Sequence, residues 1–208
     1  MLKIYGIKAS RAIRTLWLCR ELNIPFEHIQ VNYADANSKT PEFLAVNPSG
    51  KIPAIDDDGF YLSESMAINF YLAKKHGGPL LPKDLRGEAK VLQWSFWVMT
   101  EVEKFVLNVM LQRMPPLPDP MAEKYFRERN PKDPALERTS LEALQKPFAY
   151  VNDHLSKQEY LLGAEFSLAD LNVASVLSYA VRAKLDLTPY PHMQRWLERC
   201  LARPGARG

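Results

Sequence analysis

Residues Asn47 to Ala73 read NPSGKIPAIDDDGFYLSESMAINFYLA, and four local signals follow one another within this stretch. Asn47, Pro48, Ser49 and Gly50 are turn formers. Ile52 to Asp56 reads as a strand led in by Pro53, which offers the ladder no N–H. Asp57, Asp58 and Gly59 are hairpin-turn residues ahead of a second strand over Phe60 to Leu62, and Ser65 to Lys75 has helical spacing. A strand entered through proline leaves backbone unpaired, so the main-chain N–H and C=O of Ile52 are free to hold an extended peptide as an added strand. Lys51 stands beside that edge, placed to meet a carboxylate of the peptide. Glu64 and Ser65 stand at a helix start, where free N–H groups and the positive end of the dipole attract a second carboxylate. A dianionic peptide satisfies both ends.

Working outward, Leu2 to Tyr5 and Glu27 to Val31 read as short strands. Between them Ala12 to Leu22 places Ile13, Leu16 and Trp17 at helical spacing. Thr40 to Val46 reads as a short helix. The order βαβαββα predicts a small mixed sheet covered on both faces. Pro79 to Lys83 reads as a linker. Beyond it the pattern is all-helical: Arg86 to Met114 predicts one long helix, with Val91, Trp94, Val98 and Val102 on a wide apolar side. Pro115, Pro116, Pro118 and Pro120 stop that helix and open a long loop, and Pro131 and Pro134 delay the next helix to Leu136 to Leu155. Ser167 to Asp170 is spaced as a capping box worth about 1 kcal/mol, opening an apolar helix from Leu171 to Val181. The expected division is residues 1–78, α/β, and 84–208, all-α.

Composition narrows the function class. The 208 residues are 47% hydrophobic, enough for a full core, and a formal charge of +3 without a basic arm does not describe a nucleic-acid binder. No apolar run reaches the ~18 residues of a membrane span. The start Met-Leu-Lys-Ile-Tyr-Gly has none of the parts of a secretory signal, so a cytoplasmic location is expected. Two cysteines, Cys19 and Cys200, make no disulfide framework, and the four histidines lack the pair spacing of a zinc site, so no metal is expected.

Through Asn47, Pro48, Gly50, Pro53, Glu64, Ser65 and Ile68 the chain resembles the glutathione transferase superfamily, in its cytosolic, serine-type, theta- and phi-related branch. The βαβαββα order, the proline linker, the Ser167 to Asp170 cap, Trp196 and Arg203-Pro204 extend the likeness over nearly the whole chain. The resemblance implies a thioredoxin-like N-terminal domain, an all-α C-terminal domain and a homodimer, with glutathione as co-substrate and no further cofactor. It implies that Ile52 bonds the cysteinyl backbone of glutathione and that Pro53 is cis. It also implies that Glu64 and Ser65 hold the γ-glutamyl group, and Lys39 and Lys51 the glycyl carboxylate. Lys39 reads equally as a solvated charge; for Glu64 and Ser65 the long motif outweighs a plain helix cap.

Chemistry on glutathione requires a lowered thiol pKa, because the thiolate is the nucleophile. Ser10, between the first strand and first helix, is where serine-type members carry their activating hydroxyl. Tyr5 is the second choice, and Arg11 and Arg14 are supporting charges, although Arg14 reads equally as a surface salt bridge. Met110 and Met114, with Trp97, are the expected wall for a hydrophobic electrophile, against a plain core reading. The function expected is conjugation of the thiolate to such electrophiles. Disulfide or peroxide reduction, isomerisation, and a non-catalytic glutathione-binding module on the same fold are the alternatives.

Overall fold

The computed structural model describes residues 1–32 and 37–207, so Gly208, the last residue of the expected second domain, lies outside the described residues. Strands β1 (Leu2–Tyr5), β2 (Glu27–Ile29), β3 (Ala54–Asp57) and β4 (Phe60–Ser63) form one sheet in the order β2-β1-β3-β4. The β1–β2 pair is parallel and the other two are antiparallel, with Ile4 opposite Ile55. Alternation along β1 sends Leu2 and Ile4 to the face covered by α1 (Ala12–Glu21) and α3 (Ser65–His76). Tyr5 goes to the other face, where Val31, Phe43 and Ala54 pack under α2 (Pro41–Val46). This is the thioredoxin-like arrangement. The strand expected from Ile52 begins two residues later, at Ala54, because Pro53 has no N–H for the ladder. Asp58 and Gly59 both take positive φ, as a two-residue hairpin turn demands.

The second half is helical: α4 (Leu85–Trp97), α5 (Lys104–Arg113), α6 (Pro120–Arg129), α7 (Pro134–Leu155), α8 (Leu168–Arg182), α9 (Pro191–Leu201) and the short α10 (Pro204–Arg207). Two expectations are corrected. The single helix over Arg86 to Met114 contains a π-helical turn, Val98–Glu103, between α4 and α5. The long loop after Pro120 is instead a helix. Pro120 sits at the first helical position behind Asp119, whose carboxylate accepts from Met121 N at 3.0 Å. Proline at that position starts a helix, because its missing N–H would have no partner there. Pro134 does the same behind Asp133, so α7 begins two residues before Leu136.

The apolar helix α8 runs through the middle of this domain, buried at nearly every residue from Leu168 to Ala180. Its cap does more than the spacing implied. Asp170 accepts from Ser167 N at 2.9 Å and Ser167 Oγ at 2.6 Å, and also from Leu161 N and the Trp196 indole, both at 2.8 Å. Burial pushes its carboxyl pKa up, and these four hydrogen bonds act against that push. Asp170→Ala strands several buried donors at once and is expected to cost about 3 kcal/mol rather than about 1. Urea unfolding of the two proteins reads the difference. At the far end of α1, Arg203 clamps the C-terminal segment: its guanidinium bonds both Glu21 oxygens at 2.8 to 3.1 Å and stacks on Phe166 at 3.9 Å.

Candidate functional site

A cleft of about 510 Å³ opens between the sheet domain and the π turn. On the sheet side Asn47 builds its rim. The Asn47 side chain accepts from Ser49 N and Oγ and donates to Lys51 O at 2.7 Å, which presents the next residue, Ile52, along the edge. The Ile52–Pro53 bond is cis, and Ile52 precedes the first ladder pair at Ala54, so its main chain lies outside the sheet pairings. Gly50 has φ +63, and a Cβ there would lie 2.4 Å from Lys39 Nζ and 2.8 Å from Ser38 O. Only glycine lets the Lys39 ammonium, which also reaches Ser49 O at 3.4 Å, lie against this turn. Glu64 caps α3 with φ 70 and stays exposed, while Ser65 behind it is buried. Lys51, Ile52, Pro53, Glu64 and Ser65 all line the cleft, and Lys39 stands at its rim beside Gly50.

On the helical side the cleft is closed by Met99 and Glu103 from the π turn. Glu103 is 5% exposed and receives two guanidinium groups. Arg11 donates to both its oxygens at 2.6 and 3.1 Å, and Arg14 Nη2 donates to Oε1 at 2.6 Å. Burial alone would raise the Glu103 pKa, but the Arg11 hydrogen bonds and the Arg14 charge outweigh it and hold the carboxyl below its usual range. The same bond to Glu103 raises the pKa of Arg11. Two cations on one anion leave one net positive charge beside the N-termini of α1 and α3, a field that favours an anion. Arg14 is therefore no surface charge. It is fully buried, and its Nη1 donates to Ser65 Oγ at 3.2 Å, which leaves the Ser65 proton free to donate elsewhere.

Sequence reasoning missed Glu103. The available signal was an acid in line with Met99, Leu107 and Met110 at helical spacing, on a stretch where Val98, Val102 and Val106 are core. Ser10 sits in the loop between β1 and α1, half-buried and outside the lining of the cleft. Its hydroxyl donates to Ile7 O at 2.7 Å and accepts from Ala12 N at 3.1 Å, so it also caps the helix start. Tyr5 points to the α2 side of the sheet, its ring 5.8 Å from Phe43, and burial with the nearby Asp56 charge raises its pKa. Met110 on α5 and Met114 just past its end are half-buried and do not line the cleft. Trp97 packs instead on Trp94 and Tyr150. Cys19 and Cys200 are buried, and burial pushes the Cys19 thiol up to about 12. A second cleft of about 540 Å³ lies between the end of α8 and α9, where Asp186 and Glu198 bring carboxylates and no residue of the Asn47 to Ala73 stretch takes part.

A thioredoxin-like sheet thus sets its cis-proline edge and the N-terminus of α3 across one cleft from a helical domain. The chain belongs to the glutathione S-transferase family. The model described as "Glutathione S-transferase, N-terminal domain" matches residues 1–74, and the one described as "Glutathione S-transferase, C-terminal domain" matches 102–204. Glutathione S-transferase 3 of Zea mays is 33% identical over 98% of this chain and 90% of its own. Glutathione transferase F7 from Populus trichocarpa superimposes with a TM-score of 0.86 at 30% identity, over 100% of this chain and 96% of that one. A structure of glutathione S-transferase-I, bound with the ligand lactoylglutathione, gives 0.85 at 30% identity over 99% and 96%.

Proposed function

We propose that this chain conjugates the thiolate of glutathione to hydrophobic electrophiles, and that the cleft between the cis-Pro53 edge and the π turn holds the tripeptide. The observation that carries the reading is that Ser65, at the N-terminus of α3, is oriented by a fully buried arginine within a cluster of net charge +1. In this reading Ser65 donates to the γ-glutamyl carboxylate and Glu64 meets the ammonium. The Ile52 main chain pairs with the cysteinyl residue, and Lys51 and Lys39 hold the glycyl carboxylate. The cysteinyl sulfur then lies toward the β1–α1 loop. There Ser10 gives up its bond to Ile7 O and donates to the thiolate, and Arg11 and Arg14 add to the field that favours the ionised form. Chemistry is thiolate formation and positioning, and the electrophile is attacked directly.

Met110 on α5 and Met114 just past its end are half-buried apolar side chains of the helical domain, and the electrophile wall is assigned to them, outside the lining of the cleft itself. A homodimer belongs to the proposal. Phe60 and Tyr61 on β4 and Phe96 on α4 are 48%, 48% and 66% exposed, an aromatic surface on both domains for a second copy to cover. A cytoplasmic location also belongs to the proposal, and the free, buried thiols of Cys19 and Cys200 accord with a reducing compartment. Assaying an aryl halide, a hydroperoxide and a disulfide side by side with glutathione tests the reaction type. Turnover of the aryl halide is the expected result, and activity confined to the other two would overturn conjugation.

A further inference from the structure

One helical turn below the charge cluster lies a second, uncharged network that the reaction itself does not use. Thr15 Oγ1 donates to Asn69 Oδ1 at 3.0 Å, and Asn69 Nδ2 donates to Arg14 O at 3.4 Å and to Asn172 Oδ1 at 2.9 Å. Asn172 Nδ2 donates to Ser95 Oγ at 2.9 Å, and Ser95 Oγ donates to Val91 O at 2.8 Å. Thr15, Asn69 and Asn172 are at most 1% exposed and Ser95 is 4% exposed. Both protons of the Asn69 amide and its oxygen are used, so the network admits one arrangement of its four helices, α1, α3, α8 and α4.

The spacing links this layer to the one above it. Asn69 follows Ser65 by four residues on α3, Ser95 precedes Met99 by four on α4 and the π turn, and Arg14 belongs to both layers. In the upper layer Arg14 reaches Ser65 Oγ at 3.2 Å, Met99 Sδ at 3.5 Å and Glu103 at 2.6 Å. In the lower layer its carbonyl is held by Asn69. A helix that slid or rotated would strain the contacts of the Arg14 guanidinium, because one planar group is bonded to Ser65 and Glu103 at once. Apolar packing holds α1, α3 and α8 together, and the hydrogen bonds of the two amides, being directional, add a constraint on their register.

We propose that Asn69 and Asn172 are positioning residues for the glutathione site: they fix the register of α1, α3 and α4 so that Arg14 orients Ser65 and Glu103. This rests on the proposed glutathione reading of the cleft. Removing Asn69 leaves the helices packed but lets the upper layer drift, and displacements of about 1 Å at a binding constellation are costly.

The test compares wild type with Asn69→Ala and with the milder Thr15→Val, which removes only the hydroxyl that anchors Asn69 Oδ1. Each is measured well below its own melting temperature, for KM of glutathione, kcat, and thiolate absorbance of bound glutathione against pH. The expected result is a rise of about tenfold in KM for glutathione, together with an upward shift of the bound thiol pKa, for Asn69→Ala, and smaller changes in the same direction for Thr15→Val. If Asn69→Ala does not fold, Thr15→Val alone decides. Lowered melting temperatures with unchanged KM and unchanged thiol titration would overturn the proposal and leave the glutathione reading intact. Wild type that does not bind glutathione would overturn both.

Discussion

Glu103→Gln is expected to lower the unfolding free energy by about 3 kcal/mol and to raise the KM for glutathione by about tenfold. The stability loss follows from what remains. Arg14 is fully buried and Glu103 carries the charge that compensates it, so an amide in its place leaves a guanidinium in the interior with no counter-charge in contact. Breaking one partner of a buried pair costs more than the pair ever contributed, because the survivor keeps its desolvation penalty. Arg11 loses its anchor as well, but it is exposed and turns to solvent cheaply. The effect on glutathione follows from Arg14, which orients Ser65. The pH dependence carries a sign. Glu103 has a lowered folded pKa, so its contribution is complete above its unfolded value of about 4.3 and is lost as the pH falls through the folded value. Wild type should therefore weaken on acidification through that range, and Glu103→Gln should show a flatter acid limb. Denaturant unfolding at neutral pH and near pH 3 measures both.

Ser10→Ala is expected to lower kcat/KM for conjugation by about 100-fold while the protein stays folded. Loss of one positioned donor to a developing or resting anion has that size, about 2.7 kcal/mol. The structural cost is smaller. Ser10 accepts from Ala12 N, and removing such a cap costs about 1 kcal/mol. A purely capping role therefore predicts a modest fall in stability with full activity, and an activating role predicts the reverse weighting. KM for glutathione should change little, since Ser10 stands outside the residues that hold the peptide in the proposed pose.

The sheet domain was legible because its signals are local. A proline-led strand, an Asp-Gly turn and a serine at a helix start each announce themselves within four residues; the start of β3 moved to Ala54 where Pro53 withholds its N–H, and its end moved one residue, to Asp57, which pairs with Phe60. The α8 cap was legible for the same reason, yet two of the four bonds to Asp170 come from outside the cap, at Leu161 and Trp196, and no local pattern predicts them. Helix α6 departs from the loop expected of Pro120, because Asp119 behind it makes the proline a helix start rather than a stop. It is also held from a distance: Arg127 donates to Leu111 O and Met114 O at the end of α5. The cleft was legible on its sheet side, from Lys51 to Ser65, and hidden on its helical side. Glu103 meets Arg11 and Arg14 across some ninety residues of chain, and its place between core valines became meaningful only when α1 was laid against the π turn. Arg14 shows the same limit, since nothing near it in the chain distinguishes a buried guanidinium from a solvated one.

The measurement that bears most directly on the account is a pH titration of thiolate absorbance for glutathione bound to wild type and to Ser10→Ala. A bound thiol pKa well below the ~8.5 of a free thiol is expected in wild type, with its return toward that value in the mutant while binding persists. Identical titrations in the two proteins would contradict it and place thiol activation elsewhere than at Ser10.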